Sequence, residues 1–345
     1  MARNTKKIRR EVLINGVKTW ITADTEQEYA SKLMSYSARC QSTEKHLFAE
    51  YAERWFDGIC KPNVAEVTAL NYKRQLDLHI LPVLGRRMLE DIDAYFVQQV
   101  FNNLSPSTRQ DTKQKIKNVL NQIFKMAVEE GLIGKNPMAS SSLKMKGLPA
   151  VTTEPYSVAD MRFFVSNLDR LMNPIDRGWL ALLCSLPLRP EEALGLQWAD
   201  IDETNLTVHV RNTITHPDRN RPVFHTYTKT MMSNRILSIP QRVLDLLPER
   251  ERDYDFVFGG EKPLSYSQVR IMCRRIERQL GYEGSITPRR FRTTVATDIS
   301  SLTHDLKLVQ HMLGHATPQM TLKHYDKGRN TTVDGTAAIE NCYGF

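Results

Sequence analysis

From Thr43 to about Pro137 the apolar residues recur at helical spacing throughout, and this constrains the fold more than any other feature of the chain. Leu47, Phe48, Tyr51, Trp55, Phe56 and Ile59 trace one apolar face, and the same habit returns near Leu70–Ile80, Ala94–Leu104 and Thr108–Glu130. Such segments bury their apolar faces only against one another, so residues 43–142 are expected to form a four-helix domain. Gly131, Gly134 and Asn136-Pro137 stop the last helix. The stretch that follows, "ASSSLKMKGLPAVTTEP" from Ala139, is small, polar, basic and proline-ended, as an interdomain linker should be.

The flanks read differently. In "RREVLINGVKTWITADTEQEYASKLMSY" two short alternating runs surround Asn15-Gly16, a strong hairpin signal, and a helix starts near Asp24-Thr25. Residues 1–40 are therefore expected as a small β-hairpin and helix module. Arg3, Lys6, Lys7, Arg9, Arg10 and Lys18 decorate it; a basic arm on a small sheet can lie in a groove of DNA, and a solvated charged surface accounts for them equally well. Beyond the linker, residues 153–345 mix helices with a short sheet. Ser157 and Asp160 can cap a helix, "NLTVHVRNTIT" from Asn205, "FHTYTKT" from Phe224 and "RILSIP" from Arg235 read as strands, and helices follow from Ser265. The expected class is α+β: a mainly helical domain with a small antiparallel sheet, preceded by the four-helix domain and the hairpin module.

Lys+Arg outnumber Asp+Glu by 47 to 39, a net charge of +8 that suits a polyanionic partner. The five cysteines (Cys40, Cys60, Cys184, Cys273 and Cys342) form no C-x-x-C pair, so neither a disulfide framework nor a zinc knuckle is indicated and a reducing cytosol fits. The longest apolar run, "WLALLCSLPL" from Trp179, is too short to span a bilayer, and no apolar segment behind the basic N-terminus resembles a signal peptide. A cytoplasmic protein with no membrane partner is expected.

Four stretches carry candidate chemistry. In "LPLRPEEALGLQWADID", Arg189 precedes Pro190 at a helix start, with Glu192 one turn on. Lys229 of "TYTKTMMSNRILSIP" falls on a loop between two strands. Thr287 and Pro288 open the helix "TPRRFRTTVATDI" and place Arg289 and Arg292 on one face, where two guanidiniums need a negative partner. In "LGHATPQMTLKHYDK", Gly314 stops a helix, His315 stands at the junction, Thr317-Pro318 restarts the chain and Tyr325 follows. Taken singly, His315 is a satisfied turn residue and Tyr325 a half-buried aromatic. His311 and His315 have a spacing that zinc accepts, but Gly314 breaks the helix between them and no H-E-x-x-H occurs, so no metal site is expected.

The four stretches, in this order from about Thr153 to Lys327, resemble the tyrosine recombinases, specifically the integrases of phages and conjugative transposons. The preceding domains look like that family's core-binding domain (43–142) and arm-binding module (1–40). The resemblance implies that Arg189 and Arg292 grip the scissile phosphate, Glu192 supports Arg189, Lys229 protonates the leaving group, His315 is the late histidine and Tyr325 the nucleophile. It also implies a 3′-phosphotyrosyl intermediate, duplex DNA with core and arm sites as partner, a homo-tetramer on DNA, an accessory DNA-bending or excision factor, and no cofactor. One position departs: Arg289 stands where family members usually have histidine. The residue types suit the chemistry without the name, since fixed guanidinium forks neutralise charge on phosphate oxygens and nearby cations favour the phenolate of a tyrosine that ionises at about pH 10. A type IB topoisomerase shares this chemistry, but the arm-like module favours recombination. The alternative is a catalytically impaired DNA-binding protein on a recombinase scaffold, of which Arg289 would be the sign.

Overall fold

A computed structural model of the chain describes residues 7–14, 17–39, 45–145, 147–149, 153–218, 220–226, 233–317, 319 and 321. Two compact units divide it, Met1–Val151 and Thr152–Phe345. The first opens with strands β1 (Ile8–Ile14) and β2 (Val17–Ala23), antiparallel and in a register that pairs Ile14 with Val17. Only Asn15 and Gly16, which lie outside the described residues, join the two strands. Helix α1 (Glu26–Arg39) begins with a reciprocal cap: the Thr25 hydroxyl accepts from the Glu28 amide at 3.2 Å, and the Glu28 carboxylate accepts from the Asp24 amide at 2.8 Å. Ile21 and Ala23 alternate inward from β2 and meet Tyr29 of α1 in a small cluster of their own.

Four long helical segments follow, as the periodicity predicts. The first is α2 (Phe48–Trp55), prolonged by a π-helical turn over Phe56–Cys60 and a last turn to Asn63, and the second is α3 (Glu66–Gln75), prolonged the same way through Leu76–Ile80 to Leu84. Then come α4 (Ala94–Asn102), capped by the Asp93 carboxylate, and α5 (Gln110–Glu129). Phe48, Trp55, Leu76, Ile80, Ile116 and Phe124 fill the core between them. Ile59 is a correction to the sequence reading. It is exposed, and Cys60 is buried in its place, because the π turn adds a residue to the repeat and rotates the apolar face by one position.

The second unit is built around α7 (Pro174–Ser185), which follows α6 (Val158–Ser166). Trp179 through Leu183 are buried without a break, so the run that is too short for a membrane is a helix packed on all sides by its own domain. Next come the short α8 (Pro190–Leu194), β3 (Ile201–Asp202), β4 (Thr207–Val210), β5 (Thr213–Asp218), β6 (Arg221–His225) and β7 (Arg235–Ser238). Strands β3, β4 and β7 form one antiparallel sheet in that order, and β5 and β6 a separate two-stranded one.

The single strand read over "NLTVHVRNTIT" is thus two strands. The buried Asp200 carboxylate takes the Arg211 guanidinium at 2.5 Å and the Asn212 amide at 2.9 Å, pinning the chain where it leaves one sheet for the other. Helices α9 (Tyr266–Leu280), α10 (Pro288–Thr303) and α11 (Leu306–Leu313) complete the described part. Thr287 sits at the cap position of α10 without a side-chain cap bond; its amide instead donates to the Tyr156 hydroxyl at 3.0 Å. Among the described residues no helix is long and apolar enough to cross a membrane.

Phe291 is the anchor that orients α10. Its fully buried ring lies 4.6 Å from that of Tyr156 and 5.3 Å from that of Phe164, and the neighbouring position carries Arg292. Truncating such a ring leaves a cavity, so Phe291→Ala should lower the unfolding free energy by about 3–5 kcal/mol. A denaturant titration followed by tryptophan fluorescence reads this out; a midpoint equal to the parental one would mean that the ring does not bear the packing.

Candidate active site

The turn into α8 folds an arginine onto a carboxylate. Pro190 takes the first helical position, where its missing N–H costs nothing, and Glu192 reaches back over that turn. Its carboxylate accepts the Arg189 amide at 2.9 Å and the Arg189 guanidinium at 2.5 Å. Two further guanidiniums come to the same carboxylate from distant parts of the chain. Arg235, at the start of β7, donates from both terminal nitrogens at 3.3 and 2.9 Å. Arg292, one turn into α10, stands 3.7 Å away and also donates to the carbonyls of Pro187 and Leu313 at 2.8 and 2.9 Å.

Glu192 is only 2% exposed. Burial alone would raise its carboxyl, but the Arg235 guanidinium, with Arg189 and Arg292 behind it, pulls it down to about 2. The carboxylate is therefore ionised at any working pH. Three guanidiniums share this one anion, which leaves two positive charges in surplus among the described residues of the cluster. Arg189 keeps a third of its side chain open to solvent. The planar fork of an arginine so placed can also take an anion with several oxygens.

His315 enters the cluster from the end of α11. Gly314, at φ +60°, takes the left-handed turn that a side chain resists; its amide bonds back to the His311 carbonyl at 3.0 Å and that of His315 to Gln310 at 3.2 Å. This double closure fixes the His315 backbone. The residue is 6% exposed, with ring Nε2 at 3.2 Å from the Arg292 guanidinium and Nδ1 at 3.0 Å from the Thr321 hydroxyl. A guanidinium only donates, so Nε2 accepts, and the proton of the neutral ring is assigned to Nδ1 and donated to Thr321.

The structure thus brings together Arg189, Glu192, Arg292 and His315. Arg289 is exposed and does not join the carboxylate; it lines a cleft of about 470 Å³ with Pro190, Arg270 and Arg274. Lys229, Tyr325, Arg3 and Lys6 lie outside the described residues, as does the side chain of Lys18. Of the remaining basic residues in the hairpin module, Arg10 donates to both Glu26 oxygens at 2.5 and 3.3 Å, Lys7 is 3.6 Å from Asp24, and Arg9 stacks on the exposed Trp20 ring. Arg235 was not singled out by the motifs. Strand parity carried the signal: in "RILSIP" it shares the inward phase of Leu237 and Ile239, and a charge on an inward position must have a partner.

The depressed Glu192 carboxyl has a consequence for stability. Because its folded value of about 2 lies below the ordinary 4.5, folding favours the ionised form: the contribution is complete above about pH 5 and is lost as pH falls through 4.5 towards 2. Its size is on the order of 3 kcal/mol. The stability gap between the parental protein and Glu192→Gln should be widest at neutral pH and close as the solution is acidified. Urea midpoints across a pH series measure it, and a gap that does not change with pH would contradict this electrostatic account.

Comparison with known proteins gives the arrangement its context. The phage integrase family matches residues 165–331, and the phage integrase central domain matches residues 48–143. Prophage integrase IntZ of Escherichia coli (strain K12) is 23% identical over 299 residues, covering 84% of this chain and 66% of the relative. Tyrosine recombinase XerC of Chlamydia trachomatis (serovar L2) is 27% identical over 234 residues, covering 67% and 70%. The match therefore spans about two thirds of the length of these curated relatives. The Tn1549 transposon integrase, solved in complex with a circular intermediate DNA, shares the fold with a TM-score of 0.70 at 18% identity, covering 87% of this chain and 100% of that one. With both of its characteristic domains matched in chain order, the chain belongs to the phage integrase family, the tyrosine recombinases.

Proposed function

We propose that this protein is a site-specific DNA recombinase, an integrase that cuts and rejoins duplex DNA to integrate and excise a mobile element. The observation that carries the reading is the cluster of Arg189, Arg235 and Arg292 on one buried carboxylate, with His315 against Arg292 and a surplus of positive charge. In this reading Arg189 and Arg292 hold the non-bridging oxygens of the scissile phosphate, and Arg289 reaches the same group from its exposed position. Tyr325 gives up its phenolic proton to water as its oxygen attacks phosphorus and the bond to the 5′ oxygen breaks, giving a 3′-phosphotyrosyl link and a free 5′-hydroxyl whose proton comes from Lys229. An incoming 5′-hydroxyl then attacks the phosphotyrosine, returning its proton to Lys229, and the released tyrosine takes a proton back from water. One phosphodiester is exchanged for another of equal energy, so the chemistry has no need of a nucleotide or a redox cofactor.

The proton on Nδ1 of His315 bears on this step. To donate to a phosphate oxygen from Nε2, the ring must take up a proton there or exchange its tautomer, and Arg289, always charged, cannot supply the imidazole that the family usually has in its place. Duplex DNA with core and arm sites is the proposed partner. Residues 43–142 would contact the core site, residues 1–40 the arm site, residues 153–345 would carry catalysis, and the working unit is a homo-tetramer assisted by a DNA-bending or excision factor. The sequence offers a second reading, a catalytically impaired DNA-binding protein, and the same experiment separates the two. On a suicide substrate nicked beside the core site, the parental protein should form a covalent protein–DNA band in denaturing gels. Tyr325→Phe should bind the site and form none, while Arg289→Ala should form it roughly 10²-fold more slowly, as expected for loss of one preorganised donor. A band persisting in Tyr325→Phe overturns the assignment of the nucleophile; binding without any band from the parental protein supports the impaired reading.

A further inference from the structure

Arg235 stands out because it is in the charge cluster but cannot touch a substrate. Its side chain has no access to solvent, whereas that of Arg189 is one-third open. All three of its nitrogens are committed inside the protein: the two terminal ones to the Glu192 oxygens at 3.3 and 2.9 Å, one of these also to the Ser233 carbonyl at 3.0 Å, and Nε to the Met312 carbonyl at 2.8 Å. These bonds join three pieces of chain. Glu192 is the carboxylate that takes the Arg189 guanidinium, and Met312 is in the last turn of α11, two residues before Gly314 turns the chain into His315.

The carbonyls at the end of a helix have no partner within it. In α11, Met312 gives its carbonyl to Arg235 and Leu313 gives its own to Arg292, so two buried guanidiniums grip the end of the helix that presents His315. We infer that Arg235 is a positioning residue for cleavage, bridging the Glu192 carboxylate to the end of α11 so that Arg189, Arg292 and His315 meet one phosphate in a single geometry. This rests on the recombinase reading above and adds to it a residue outside the five roles that the motifs supply. A planar fork is what the bridge requires. A lysine at 235 would keep the charge beside Glu192, but its single ammonium has no side nitrogen placed to hold Met312 as well. The charged groups facing Glu192 are Arg189 from α8, Arg235 from β7 and Arg292 from α10, with the His315 ring behind Arg292. Loss of Arg235 removes the strongest of the attractions that keep the carboxylate ionised.

The test uses the full chain and the nicked core-site duplex. Arg235→Lys is the primary variant, and Arg235→Met, which leaves Glu192 with less compensation, is the second. Three quantities are measured for each: DNA affinity, the single-turnover rate of the covalent adduct per folded molecule, and that rate as a function of pH. Arg235→Lys should bind within about twofold of the parental protein and form the adduct roughly 10–100-fold more slowly, the scale expected when reacting groups are misplaced without being lost. In Arg235→Met the rate should also fall away on the acid side at a higher pH than in the parental protein, because the Glu192 carboxylate is protonated more easily there. A merely structural arginine would change the folded fraction and leave the per-molecule rate and the pH profile alone. Parental rates and profiles in both variants would overturn the inference while leaving the recombinase reading intact. A parental protein that forms no adduct would overturn both.

Discussion

The second unit depends on an anion with almost no access to water. A lone carboxylate buried as deeply as Glu192 would cost several kcal/mol in lost hydration and would give up its charge. It keeps its charge because three guanidiniums, from α8, β7 and α10, converge on it. Positions 189, 235 and 292 are far apart in the chain, so this carboxylate is one point at which the tertiary arrangement of the unit is decided. The end of α11 is tied into the same knot through the carbonyls of Met312 and Leu313. One anion thereby fixes the positions of Arg189 and Arg292 and of the turn that carries His315.

The crowding of like charge in the cluster fits the proposed action on DNA. Three like charges crowded around one carboxylate repel one another, and a protein with only stability to serve would replace two of them by apolar side chains. In the proposed function, the phosphate of the DNA is the second anion that makes retaining them useful. Arginine suits the purpose better than lysine, since its fork meets two phosphate oxygens at once and remains charged at every pH. Depth sorts the roles: Arg235 is sealed in, Arg292 is nearly so, Arg189 is partly open and Arg289 is exposed.

Much of this architecture was legible in the sequence because it is local. Helical periodicity gave the four long helices of the first unit, Asn15-Gly16 placed the hairpin, and Gly314 marked the end of α11. The pairing of Arg189 with Glu192 was also visible, because three helical positions separate them. What escaped was non-local or depended on a backbone irregularity. The π turn at Phe56–Cys60 shifted Ile59 out of the core, and no residue pattern announces such a turn. Asp200 split one alternating run into two strands through partners eleven and twelve residues away. Arg235 lies in a strand that the sequence reveals, but its importance comes from contacts with positions 192 and 312 that a linear pattern does not bring together.

In the proposed function, this cluster neutralises a phosphate. The most direct measurement is charge compensation at the scissile position, where a methylphosphonate replaces one charged oxygen by a neutral methyl group. If Arg189 acts on that charge, Arg189→Ala should slow covalent adduct formation by roughly 10²–10³ on the native phosphodiester, and by a far smaller factor, below about tenfold, on the methylphosphonate. An equal loss on both substrates would contradict the account, since the arginine would then be serving something other than the negative charge of the phosphate.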